Sequence, residues 1–177
     1  NSYSRGQIFL AQLRYIIGEE AFNKGLHRYF NSWQFKHPKP QDFLRIMERE
    51  SGMQLDWYLN FWMNTTKVID YGVKSIDGGK GNTEIVFEKL GEMPIPLRVK
   101  ITLKAGQEID YYIPVLSSFG SPKNELRAQK PWPWTHPEYT LNVGYEFNQI
   151  AKIEIDPLGF TADVNSANNS YPKEEGQ

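Results

Sequence analysis

The sequence predicts an α+β protein: a helical N-terminal segment followed by an antiparallel β-sandwich. Three observations carry that expectation. Apolar residues recur every three or four positions as far as Trp62, the period falls to two from Lys67 onward, and no helical stretch interrupts the strands that follow. The expected divisions are residues 1–66 for the helices, 67–164 for the sandwich, and 165–177 for a polar tail that frays.

Helix one is read from the stripe Ile8, Phe9, Leu10, Leu13, Ile16 and Ile17, with Ser2 or Ser4 placed to cap its start and Gly18 to end it. Glu19 and Glu20 suit the positive end of a second helix, whose stripe is Phe22, Leu26, Tyr29, Phe30 and Trp33. Pro38 interrupts that pattern, and Pro40 opens a third helix that buries Phe43, Ile46 and Met47. Ser51-Gly52 stops it. Leu55 to Trp62 is then a short aromatic helix with Asp56 as cap, whose Trp57, Tyr58, Phe61 and Trp62 are expected to form core between the helices and the sandwich.

The strands follow the same logic with a period of two. Ile69, Tyr71 and Val73 lead through an Asp77-Gly78-Gly79 turn to Ile85 and Phe87. Val99, Ile101 and Leu103 alternate with Lys100, Thr102 and Lys104, and after the Ala105-Gly106 turn Ile109, Tyr111, Ile113 and Val115 alternate again. Tyr139, Leu141, Val143 and Tyr145 form another strand, and Ile153 and Ile155 the last. Ser117 to Pro137, with four prolines, is expected to be the longest irregular stretch.

Composition sets the bounds on function. The 177 residues are 40% hydrophobic and 23% charged, which is the balance of a folded chain. Twenty basic residues against 21 acidic ones leave a net charge of -1, so nucleic acid and anionic membrane surfaces are not expected partners. No apolar run approaches the roughly 18 residues of a membrane span. The absence of cysteine excludes disulfides, thiolate metal sites and cysteine nucleophiles together. The chain opens on Asn1 and reads as an internal piece of something longer.

The inventory of catalytic groups is short. His27, His37 and His136 are far apart and belong to no His-Glu-x-x-His or other metal-ligand spacing, so no zinc site is expected in this chain. Glu19-Glu20 and Glu174-Glu175 are adjacent carboxylates that point to different sides and form no acid/base dyad. Arg98, Lys100 and Lys104 read as a solvent face that discourages edge pairing. Pro131-Trp132-Pro133-Trp134 reads as a cover over the sandwich end, with stacking on a sugar or a protein partner as the other reading.

One set of residues resembles a known family. Tyr3-Ser4-Arg5-Gly6, Leu10, Leu13, Gly18, Phe22, Gly25-Leu26, Tyr29 and Phe35 are similar in order and spacing to the aminopeptidase N-like zinc metallopeptidases (gluzincins), and Leu55-Asp56-Trp57 and Trp62 continue the likeness. Arg5 stands where the family usually has Lys, and Asn64-Thr65-Thr66 where many relatives have a Gly/Pro turn. The resemblance implies that the helices close a thermolysin-like catalytic domain and that a sandwich domain follows it. It implies a longer protein whose upstream segment holds the zinc ligands, the general base and the substrate-amine site, and which removes N-terminal residues from peptides. It also implies that Tyr3 is a catalytic residue, its phenol donating to the oxyanion that forms on the scissile carbonyl. Read without the family, Tyr3 would simply staple the start of helix one.

The resemblance has further consequences. The isolated chain is expected to be inactive and to carry no zinc of its own, and helical faces that lack their upstream partner could drive self-association. An extracytoplasmic setting follows from the habits of such relatives. Two other readings stand beside this one: a non-catalytic sandwich module that binds through the Trp132/Trp134 loop, and a scaffold whose longer protein has lost its zinc motif.

Overall fold

A computed structural model describes residues 2–79, 81–115 and 127–173, the side chains of residues 2 and 3 excepted. Glu174-Glu175 and residues 116–126 of the proline-rich loop lie outside the described residues. The chain forms two compact units, one built on residues 2–66 and the other on 67–115 and 127–173. Together they are of the α+β class, four helices followed by antiparallel-rich sheets.

The first unit contains α1 (Ser2–Ile17), α2 (Glu19–Trp33), α3 (Pro40–Ser51) and α4 (Asp56–Asn64). Because α1 already includes Ser2, Ser4 lies inside its first turn and cannot be the cap. Gly18 separates α1 from α2 with φ at 86°, which L side chains resist. Its N–H donates to the Arg14 carbonyl at 2.9 Å, its carbonyl accepts from Phe22 at 3.0 Å, and an Arg14–Glu19 ion pair of 2.7 Å crosses the joint.

The second helix lies against the third through Tyr29 and Phe43, whose rings meet edge-on at 5.1 Å, and through an Arg28–Glu50 ion pair of 2.7 Å. Of the expected α2 stripe only Phe22 is buried, and Phe30 stays 65% exposed. Leu44 and Met47 are the buried residues of α3, while Phe43 and Ile46 are half-buried. Pro40 opens α3, the Lys39 N–H donates to Asp42 Oδ2 at 2.9 Å, and Gly52 closes the helix at φ 70°. Asp56 is the first residue of α4 and not its cap. Leu55 stands at the cap position without a side-chain cap, and its own N–H donates to the Glu48 carboxylate of α3 at 2.7 Å.

The second unit contains β1 (Tyr71–Gly79), β2 (Asn82–Lys89), β3 (Leu97–Leu103), β4 (Glu108–Ile113), β5 (Arg127–Ala128), β6 (Glu138–Val143), β7 (Ile150–Ile155) and β8 (Ser170–Tyr171). One sheet has the order β1-β2-β6 and the other β5-β4-β3-β7-β8. The alternation read from the sequence is physical: β3 is buried at Leu97, Val99, Ile101 and Leu103, and half-exposed at the residues between. The strands β6 and β7 follow one another in the chain but part to different sheets, with Phe87↔Tyr139 joining β6 to β2 and Ile101↔Ile153 joining β7 to β3.

Several expectations are corrected here. The first hairpin turns later than Asp77-Gly78-Gly79, because these are strand residues and Gly79 pairs with Asn82. Gly78 is needed for packing instead: a β-carbon on it would come within 2.7 Å of the Phe147 β-carbon. The strand β3 is central, flanked by β4 and β7, so Arg98 and Lys100 guard no edge. Lys100 pairs across the sheet with Glu108 at 2.7 Å, and Lys104 lies beyond the strand. The sheets are not antiparallel throughout, since β5 runs parallel to β4 and Val115 bridges Trp132 in the same sense. From Arg127 the proline-rich loop therefore tracks β4 instead of wandering. The chain past Asn165 does not fray through its described part, because Tyr171 pairs with Ile153 and Ser170 with Glu154.

Candidate functional site

Tyr3 sits in the first turn of α1, and its side chain lies outside the described residues. What the structure does describe is how α1 is held. Arg5, Phe9 and Gln12 recur at four and three positions, so they share one stripe of the helix. They face Tyr58 and Trp62, one turn apart on α4. The Phe9 ring stacks on Tyr58 at 5.1 Å and meets Trp62 edge-on at 5.7 Å, and the Arg5 guanidinium lies 6.0 Å from the Trp62 ring centre.

Polar contacts are set into this apolar seam. The Tyr58 hydroxyl lies 2.8 Å from the Phe9 carbonyl and 3.3 Å from Gln12 Oε1, and the Trp62 indole N–H donates to the same Oε1 at 3.0 Å. Gln12 is only 3% exposed, and it is the one buried polar side chain among the described residues of the helical unit. Burial pushes the Tyr58 phenol well above its ordinary value, so it stays protonated and a donor at every physiological pH. Of the expected aromatic core of Trp57, Tyr58, Phe61 and Trp62, it is Tyr58 and Trp62 that find partners on α1. Hydrophobic periodicity carries no signal for Gln12, because its burial depends on groups supplied by α4.

The histidines do not come together. His27, His37 and His136 are each exposed, and no three His, Cys, Asp or Glu side chains among the described residues are grouped as metal ligands. Trp132 and Trp134 behave differently from each other. Trp132 is 5% exposed, stacks on Tyr139 at 5.4 Å, meets Tyr71 at 5.3 Å and donates to the His136 carbonyl at 3.0 Å. It is core and unavailable as a platform. Trp134 is 46% exposed and is the only one of the two that a ligand could stack on.

The second unit also has a cavity of roughly 420 Å³ lined by Asp156, Thr161, Asp163 and Asn169. Its aspartates are engaged with their own loop and with the start of β1. Asp156 Oδ2 accepts from the Thr161 N–H at 2.6 Å, and Asp163 accepts from the Tyr71 and Asn165 N–H groups at 2.9 Å each. Burial, the largest influence, raises the Asp163 carboxyl above its ordinary range. Among the described residues no helix is long and apolar enough to cross a membrane.

Residues 1–62 match the model of the peptidase family M1 domain. Human glutamyl aminopeptidase is 33% identical over 86 residues, which are 49% of this chain and 9% of that protein. Mitochondrial aminopeptidase 2 of Saccharomyces cerevisiae is 31% identical over 88 residues, 50% of this chain and 9% of that protein. The probable aminopeptidase 2 of Sulfurisphaera tokodaii is 23% identical over 160 residues, 90% of this chain and 18% of that protein. Among solved structures, Legionella pneumophila aminopeptidase A in complex with aspartic acid superposes with a TM-score of 0.60 at 13% identity, over 86% of this chain and 16% of that one. The chain therefore spans less than a fifth of the length of these relatives.

Proposed function

From the match of residues 1–62 to the peptidase family M1 domain, we propose that the chain is the C-terminal part of a zinc-dependent aminopeptidase that hydrolyses N-terminal residues from peptides. The observation that carries this reading is the match over residues 1–62, which includes the Tyr3-Ser4-Arg5-Gly6 element. In this reading the helical unit closes the catalytic domain and the two-sheet unit follows it.

The metal belongs to the upstream segment. Zinc would activate the water that attacks the peptide carbonyl, but the residues of this chain do not fit a zinc site: no ligand spacing occurs in its sequence, and no metal-ligating group is assembled among its described residues. No step of the reaction runs through a metal held here. What this chain contributes is Tyr3. A phenol with an ordinary value near 10 is protonated at neutral pH and donates one directed hydrogen bond to the developing oxyanion. Such a donor contributes about 3 kcal/mol to the transition state, or roughly a hundredfold in rate.

The test is Tyr3→Phe in the full-length protein, read by steady-state kinetics on aminoacyl substrates. Turnover falling roughly a hundredfold with KM within about twofold supports the reading; unchanged turnover overturns the role of Tyr3. The isolated chain is expected to show no hydrolysis and no stoichiometric zinc by elemental analysis. Zinc-dependent hydrolysis by the 177-residue chain alone would remove the assignment of the chemistry to upstream residues.

A further inference from the structure

The stripe that fastens α1 to α4 leaves the opposite side of α1 to Tyr3. Positions 5, 9 and 12 cluster on one face, and at 3.6 residues per turn position 3 lies roughly 150° around the helix from them. Leu10 and Arg14, on the same side as position 3, are exposed in this chain. Whatever fixes the roll of α1 on α4 therefore fixes where position 3 is presented.

The aromatic contacts alone fix it poorly, because apolar burial is non-directional and rings can slide over one another. Hydrogen bonds are directional. Gln12 Oε1 takes the Trp62 indole N–H at 3.0 Å and stands 3.3 Å from the Tyr58 hydroxyl, which itself reaches back to the α1 backbone at Phe9. A buried amide oxygen set between the half-buried Trp62 indole N–H and the buried Tyr58 hydroxyl keeps both contacts in only one rotation of the helix. At the roughly 5 Å radius of a helix's side-chain surface, a roll of about 10° moves a group by about 1 Å. Misplacement on that scale costs about a hundredfold in rate at a reacting centre.

We propose that Gln12 is a positioning residue for Tyr3, locking the rotation of α1 against Tyr58 and Trp62 of α4 so that position 3 is held for catalysis. The proposal rests on the reading of Tyr3 as the oxyanion donor, and the experiment separates the two. In the full-length protein, kcat and KM are measured for Gln12→Met, which keeps the size and removes the acceptor, and for Trp62→Phe, which removes the indole donor. Each is made alone and in the Tyr3→Phe background. The expected result is a fall in kcat of roughly tenfold for each single variant with KM within about twofold, and less than about twofold further loss when Tyr3 is already Phe.

Loss by the same factor in both backgrounds would show a general structural role and overturn the proposal, as would turnover within twofold of wild type in both single variants. If Gln12→Met fails to fold, Trp62→Phe carries the same comparison. If Tyr3→Phe alone leaves turnover intact, the Tyr3 reading fails and the positioning role falls with it.

Discussion

A β-carbon on Gly25 of α2 would lie 2.4 Å from the sulfur of Met47 on α3. No real contact is that short, and Met47 is fully buried, so its side chain has little room to swing away. Alanine favours a helix interior over glycine by about 1 kcal/mol, while overpacking a tight core costs about 1–3 kcal/mol. Gly25→Ala is expected to destabilise the helical unit by about 1 kcal/mol net in denaturant titration. In a Met47→Ala background the steric cost is gone and the same substitution should become stabilising. Failure of the sign to change would show that the α2–α3 approach is looser than this geometry.

Gly91 is a harsher case. A β-carbon there would meet the Val68 carbonyl oxygen at 2.4 Å and the Asp70 nitrogen at 2.5 Å, both backbone atoms that cannot rotate aside. The Gly91 N–H also donates to the Asp70 carbonyl at 2.9 Å, so the segments are already tied together. Gly91→Ala is expected to cost about 3 kcal/mol or more, well above Gly25→Ala. Thermal unfolding of the two variants side by side tests the order.

Trp132 and Trp134 should separate cleanly. Trp132→Ala empties a space between Tyr71 and Tyr139 and is expected to cost about 3–5 kcal/mol. Trp134→Ala, at a half-exposed position, should stay within about 0.5 kcal/mol of wild type. If the two-sheet unit binds a glycan or peptide through this loop, fluorescence titration of the chain saturates and the response is lost in Trp134→Ala with the fold intact. A flat titration removes the binding-module reading.

Asp163 gives a pH dependence of defined sign. Its carboxyl is raised in the folded chain above 3.8, chiefly by burial, and the Tyr71 and Asn165 amides offset part of that. Below 3.8 the group is neutral in both folded and unfolded chains and contributes no penalty. As pH rises past 3.8 the unfolded chain ionises first, so stability falls until the folded group has ionised as well. Asp163→Asn should flatten the slope in that window, measured as denaturation midpoint against pH. An unchanged slope would assign it to other groups.

The parts of the fold legible in the sequence are those set by local chemistry. Gly18, Pro40 and Gly52 punctuate the helices because a left-handed cap and a missing N–H are properties of single residues. The strict alternation of Val99, Ile101 and Leu103 exposes β3 for the same reason. Strands β5 and β8 have two residues each and exist only because β4 and β7 offer them partners, so no local pattern announces them. Gly78 looked like turn chemistry and answers instead to Phe147, which is nearly 70 positions away in the chain. At the candidate site, Tyr3 is readable only through its family context. Gln12 is readable only from the structure, since its burial depends on donors supplied by α4.

The divergence of β6 and β7 governs when this chain can become a folded object. Each sheet depends on a strand paired across about 50 positions, Phe87 with Tyr139 in one and Ile101 with Ile153 in the other. On a ribosome the four helices emerge ahead of the strands, while β1 to β4 must wait with open flanks until the segment from Glu138 to Ile155 is delivered. Both sheets are then completed by the same late stretch, so a nascent chain stopped before residue 138 exposes two unfinished β-surfaces at once, the condition under which chaperones engage and aggregation begins.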